Sequence, residues 1–188
     1  AGLVLAWFFA DLDQMPPRPV FLIAPVTVLT LAAGLGRWGR RMADGLSWAA
    51  LIGFQAFRIP VELVLHGLYG EGIVPARMTY VGWNFDIVTG VVGAALAIAV
   101  VRGMRLSRPL LWAFNIGGLL LLLNIVGIAV LSIPTPVQVF TEPPANTVVL
   151  TLPYVWLASL LVPFAMLGHI VSFRKLRAAA PAPAGSAA

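Results

Sequence analysis

Five stretches of this chain are apolar over enough residues to cross a lipid bilayer, and that constrains its fold more than any other feature. A hydrocarbon core of ~30 Å takes roughly 20 residues of helix. Val20–Gly36, Leu46–Tyr69, Val81–Val101, Pro109–Ser132 and Val148–Phe173 are read as spans. Ala1–Ala10 is equally apolar but only ten residues long, and is read as the remaining half of a first span. The expected fold is all-α, a polytopic transmembrane bundle of six spans with the first one partial. Residues 1–177 form one domain, and the Ala/Pro-rich stretch Ala178–Ala188 is expected to be a disordered tail.

Composition agrees. Hydrophobic residues make up 60% of the 188 and charged residues 10%, where a soluble domain carries about 25% charged. With no cysteine, disulfides, thiolate metal sites and a cysteine nucleophile are excluded. No cofactor is expected: Lys175, the only lysine, lies outside the spans and cannot carry a retinal-type Schiff base. There is no G-x-S-x-G, H-E-x-x-H or P-loop.

Twelve basic against seven acidic residues would suggest a nucleic-acid partner in a soluble protein. Here the basic residues alternate with the spans. Arg37, Arg40 and Arg41 follow one span, Arg102, Arg105 and Arg108 another, and Arg174, Lys175 and Arg177 the last. The intervening loops hold only Arg18 and Arg77, beside Asp11, Asp13, Glu71 and Glu142. Lys and Arg in short loops mark the cytoplasmic side. Both termini are therefore expected in the cytoplasm, the partner is membrane lipid, and nucleic acid is not expected. Five spans with the start outside would leave every later orientation unchanged.

The span Leu46–Tyr69 is unlike the others. Gln55, Arg58, Glu62, His66 and Tyr69 fall within an arc of about 80° at ~100° per residue, while Phe57, Pro60, Val61, Val64 and Leu68 form an apolar opposite side. The polar stripe is expected to point into the bundle. Arg58 and Glu62 are four apart, where helical side chains meet, so an ion pair between them is expected. Pro60 cannot donate to the Ala56 carbonyl, which predicts a kink.

Depth selects what faces the stripe. At ~1.5 Å per residue, Asn84, Asp86 and Asn124 share the outer half of the bilayer with Arg58 and Glu62. The candidate binding residues are thus Gln55, Arg58, Glu62, His66, Asn84, Asp86 and Asn124, with Tyr154 and Trp156 entering from the outer end. Gly90, Gly93 and Ala97 after Asp86 suit close helix contact within or between chains, so a homo-oligomer or larger membrane complex is an open expectation. Asn115 is expected on the far side of its helix from Asn124. His169, twenty-one residues into the last span, is expected near the cytoplasmic face and apart from the stripe. That separation from His66 argues against a bis-histidine haem or shared metal. The proline-rich Ile133–Thr147 is expected to fold over the outer mouth, as a lid or as a plain connector.

Phe57–His66 (FRIPVELVLH), Met78–Gly90 (MTYVGWNFDIVTG) and Leu119–Ile125 (LLLLLNI) resemble a family of small multi-pass inner-membrane proteins of bacteria. The likeness extends from Pro16–Arg18 to His169. It implies membrane class and bacterial origin, and no chemistry. Three functions remain open. The first is binding or transport of a small solute or lipid in an outward-facing polar pocket, with Glu62 carrying a proton. The second is a membrane enzyme acting on a lipid or isoprenoid, with Glu62 and His66 or Asp86 as acid and base. The third is an accessory or structural subunit.

Overall fold

The computed structural model describes residue 18 and residues 20–178. The expected first half-span, Ala1–Ala10, lies outside the described residues, as does the tail beyond Ala178. Every regular element described is helical. α1 (Val20–Leu35) runs into α2 (Arg37–Gly45). α3 (Trp48–Phe54) passes through a 3-10 turn, Gln55–Phe57, into α4 (Arg58–Gly70). Then come α5 (Asp86–Val101), α6 (Arg108–Leu131) and α7 (Val162–Ala178), the last preceded by a π-helical turn at Leu157–Leu161.

Among the described residues, three helices are long and apolar enough to cross a membrane: Trp48–Gly70, Arg108–Leu131 and Leu157–Ala178. A fourth is obtained if α1 and α2, bent by 60°, count as one span, and α5 is a shorter apolar helix. α5 is shorter than expected because residues 81–85 are not helical. The last helix likewise starts at Leu157 and not at Val148, and it ends at Ala178, one residue into the expected tail.

Local chemistry accounts for the breaks. The 3-10 turn sits where Pro60 fails to donate back to Ala56. Pro163 leaves the Ser159 carbonyl without its helical partner, and the chain widens there into the π turn. Between α1 and α2, a Cβ on Gly39 would lie 1.7 Å from the Gly34 carbonyl oxygen. Only glycine allows that bend, so Gly39→Ala is expected to lose the folded protein on size-exclusion chromatography in detergent. A monodisperse Gly39→Ala protein would contradict this packing.

α7 packs against α1, α2, α3 and α6, and α5 lies mainly along α3. The small residues of α5 serve this contact within the chain. A Cβ on Gly93 would come 2.9 Å from the Ile52 carbonyl oxygen, and one on Gly90 2.9 Å from the Ile59 side chain.

The two ends of the bundle differ. At one, basic side chains close helix C-termini, as cations there do. Arg174 donates to the Gly34 and Leu35 carbonyls, Lys175 to Ala43 O at 2.7 Å, and Arg108 to Leu176 O at 3.1 Å. The three arginine-rich segments therefore converge. At the other end, Val74, Met78, Val148, Val149 and Leu150 from two loops are buried with Leu65, Leu68 and Ile128. Arg77 of one loop pairs with Glu142 of the other and lies 4.4 Å from the Phe140 ring centre.

The Arg77 guanidinium holds the Glu142 carboxyl below its ordinary value of 4.5. A depressed carboxylate stabilises above its unfolded value and loses that contribution as pH falls through the folded one. Hydrogen exchange in residues 136–142 is therefore expected to gain protection from Arg77 above about pH 4.5 and to lose it below. The protection factors of Glu142→Gln, corrected for the intrinsic exchange rate, should be alike on both sides of that range. A wild type with no such difference from Glu142→Gln would contradict the tether.

Candidate functional site

Four segments meet in one buried polar cluster. Arg58 opens α4 just after the 3-10 turn and is 2% exposed. Its Nη1 donates to Asp86 Oδ1 of α5 at 2.8 Å and to the Gly118 carbonyl of α6 at 3.0 Å. Its Nη2 lies 3.1 Å from His169 Nε2 of α7. The expected Arg58–Glu62 ion pair is not formed; the guanidinium takes the carboxylate of another helix.

The cluster fixes its own hydrogen positions. A guanidinium only donates, so His169 Nε2 accepts and the imidazole is neutral with its proton on Nδ1. Nδ1 then donates to Asn115 Oδ1 at 3.0 Å, and Asn115 Nδ2 donates to Leu111 O at 2.8 Å. Donor and acceptor roles along this chain are mutually consistent, although Arg58 Nε is left without a partner. His169 and Asn115, expected apart from the stripe, are thus part of it. Gly118 is what lets the helices close: a Cβ there would lie 2.7 Å from both His169 Cε1 and Thr89 Cγ2. Gly118→Ala is expected to cost about 1–3 kcal/mol by overpacking, read as a lowered midpoint in thermal unfolding. An unchanged midpoint would mean that α6 and α7 have room to spare.

Glu62 has a different task. Its Oε1 accepts from the Tyr80 backbone N–H at 2.8 Å, and its Oε2 from the Asn84 amide. Asn84 also donates to Met78 O at 2.9 Å and accepts from Asp86 N at 3.1 Å. The segment between α4 and α5 is irregular, yet Thr79 and Asn84 are fully buried. Buried backbone outside a helix must find partners for its polar groups, and Glu62 and Asn84 supply them.

The remaining candidates fall elsewhere. Gln55 is buried one turn before Arg58 and donates to Ala165 O at 3.2 Å. His66 is half-buried, stacked on Tyr80 at 4.4 Å, and stands off the cluster. Asn124 is exposed and donates to Trp83 O at 2.7 Å. The inward face of α6 is Leu111, Asn115, Gly118 and Leu122, not the face of Asn124. Trp156 is exposed at 45% and Tyr154 packs with the loop cluster, so neither completes a pocket.

Against this cluster lies a partly enclosed cavity of about 260 Å³. Its polar groups are chiefly Arg58, Glu62, Asn84 and Asp86. The rest of the wall is almost wholly apolar, with Val61, Leu122, Val126 and Ala158 among its residues and Ile23 and Thr27 of α1 on one side. The π turn contributes Leu157, Ala158 and Leu161, so the widened helix borders the space. Val61, expected on the apolar outer side of its helix, lines the cavity, and Leu68 is buried. Ile133, Val149 and Leu150 bring the two ends of the proline-rich loop to the wall. Asn146 holds that loop through Ser132 O and Ala129 O.

Residues 15–177 match the family model of a domain of unknown function, DUF8737. No curated protein and no solved structure matches the chain. The chain belongs to the DUF8737 family.

Proposed function

We propose that this chain is a six-span protein of a bacterial inner membrane, with both termini in the cytoplasm, that binds a small amphiphile between its helices. The orientation is supported by the convergence of Arg37–Arg41, Arg102–Arg108 and Arg174–Arg177 at one end of the bundle. The bacterial membrane is supported by the resemblance carried by Phe57–His66 and Met78–Gly90.

The observation that carries the binding reading is the cavity itself. It is larger than the ~150 Å³ space that holds benzene in an engineered core, it is apolar over most of its wall, and a buried ionic cluster forms one part of it. Ligand sites typically combine apolar walls with a few placed polar groups. An intramembrane ionisable residue is by default a functional hypothesis. A ligand suited to both parts has an alkyl or isoprenoid body and one polar head.

The test is photolabelling in liposomes with an alkyl diazirine, mapped by peptide mass spectrometry. Label is expected on Val61, Leu122 and Val126, and to fall severalfold when Ala158→Phe fills the space. Label confined to exposed apolar residues such as Val91 and Leu120 would overturn the reading.

A further inference from the structure

Resting on the amphiphile reading, we infer that the head group this cavity accepts is a hydrogen-bond donor, a hydroxyl or a protonated amine, and not a carboxylate or phosphate.

Glu62 already accepts one bond on each oxygen. Asn84 donates twice and accepts once. Arg58 spends both Nη1 hydrogens on Asp86 and Gly118 and one Nη2 hydrogen on His169; its second Nη2–H and its Nε–H are left over, but the side chain is only 1% exposed. Asp86 differs. Only Oδ1 is bonded to Arg58; Oδ2 accepts no bond among the described residues, and the side chain is 12% exposed. An ionised carboxylate has acceptor sites only. The accessible valence is therefore an acceptor, and its complement is an N–H or O–H.

Charge agrees with this count. Among the described residues the wall holds one guanidinium and two carboxylates, Glu62 and Asp86. With Glu62 ionised the group carries a net negative charge, and with Glu62 protonated it carries none. In neither state is there a surplus positive charge to hold an anion. An anionic head beside Asp86 would also meet its carboxylate charge, and like charges repel strongly in a low-dielectric site. His169 brings no cation, since its Nε2 accepts from Arg58.

The test compares three alkyl diazirines of one chain length bearing an amine, a hydroxyl or a carboxylate. The protein is reconstituted in neutral phosphatidylcholine liposomes at neutral pH. Cavity label on Val61, Leu122 and Val126 is normalised to label on the exposed Val91 and Leu120, which removes differences in membrane partitioning. A bond to a charged partner is worth about 1.5–3 kcal/mol, so the amine is expected to exceed the carboxylate by roughly ten- to a hundredfold, with the alcohol between them.

Asp86→Asn should turn the preference. Its carbonyl oxygen can still face Arg58, and its amide then presents a donor to the cavity, so the carboxylate probe gains relative to the amine. Where Asp86→Asn does not fold, the wild-type series alone decides. A carboxylate that labels the cavity as well as the amine overturns the donor-head inference and leaves the amphiphile reading standing. Cavity label absent for all three heads overturns both.

Discussion

Arg58→Leu is expected to lower the unfolding free energy in detergent by about 3–5 kcal/mol, the usual cost of leaving one partner of a buried pair uncompensated. The loss falls on Asp86, whose side chain is 12% exposed and meets no other cation among the described residues, and on the His169 and Gly118 acceptors. Asp86→Leu should cost a comparable amount by stranding the guanidinium. The double substitution should recover much of the loss, since replacing a whole buried pair by apolar groups is often neutral. A double-mutant cycle isolates this coupling. The same cycle on Arg58 and Glu62 should show far less coupling, because those two side chains share no bond. Equal coupling in both cycles would mean that Arg58 moves between the two carboxylates.

Glu62→Leu is expected to be nearly as damaging by another route. It leaves the Tyr80 N–H and one arm of the Asn84 amide without acceptors inside a buried loop, at about 1–3 kcal/mol for each group. The loss should appear locally as well as globally. Hydrogen exchange at Tyr80 and its neighbours should accelerate more than exchange along α6. Glu62→Gln keeps an acceptor for Tyr80 and should cost less. If Glu62→Leu melts like the native chain with Tyr80 still protected, other groups hold the segment.

Much of this architecture is legible in the sequence. The apolar runs locate the helices, and the stripe of Gln55, Arg58 and Glu62 identifies an inward polar face. What escapes is the choice of partner. Spacing of four makes Arg58 and Glu62 neighbours, but an arginine preceding the glutamate is the less favourable order on a helix. An arm as long as arginine's can cross to α5, and a partner 28 residues away leaves no local mark.

His169 is misplaced by counting helix from Val148. After a single 3-10 turn at Val148–Leu150 the chain leaves the helical path and regains it only just before Leu157, so His169 stands about 12 residues into the regular helix. That brings it level with Arg58. Asn124 fails for an angular reason. It lies two residues beyond Leu122, which places it about 200° around α6 from the buried face. Asn84 is found by its depth, but its role is not, since that depends on five residues before Asp86 remaining unwound.

The proposed amphiphile site is the space beside the Arg58–Asp86 cluster. Native mass spectrometry of the protein extracted from its own membranes tests it most directly. Wild type is expected to retain a bound amphiphile that survives removal of detergent. Ala158→Phe and Ala129→Phe, which fill the cavity from two sides, should fold with unchanged melting and lack it. If wild type and both filled variants carry the same adducts, or if wild type carries none, the space is not a binding site.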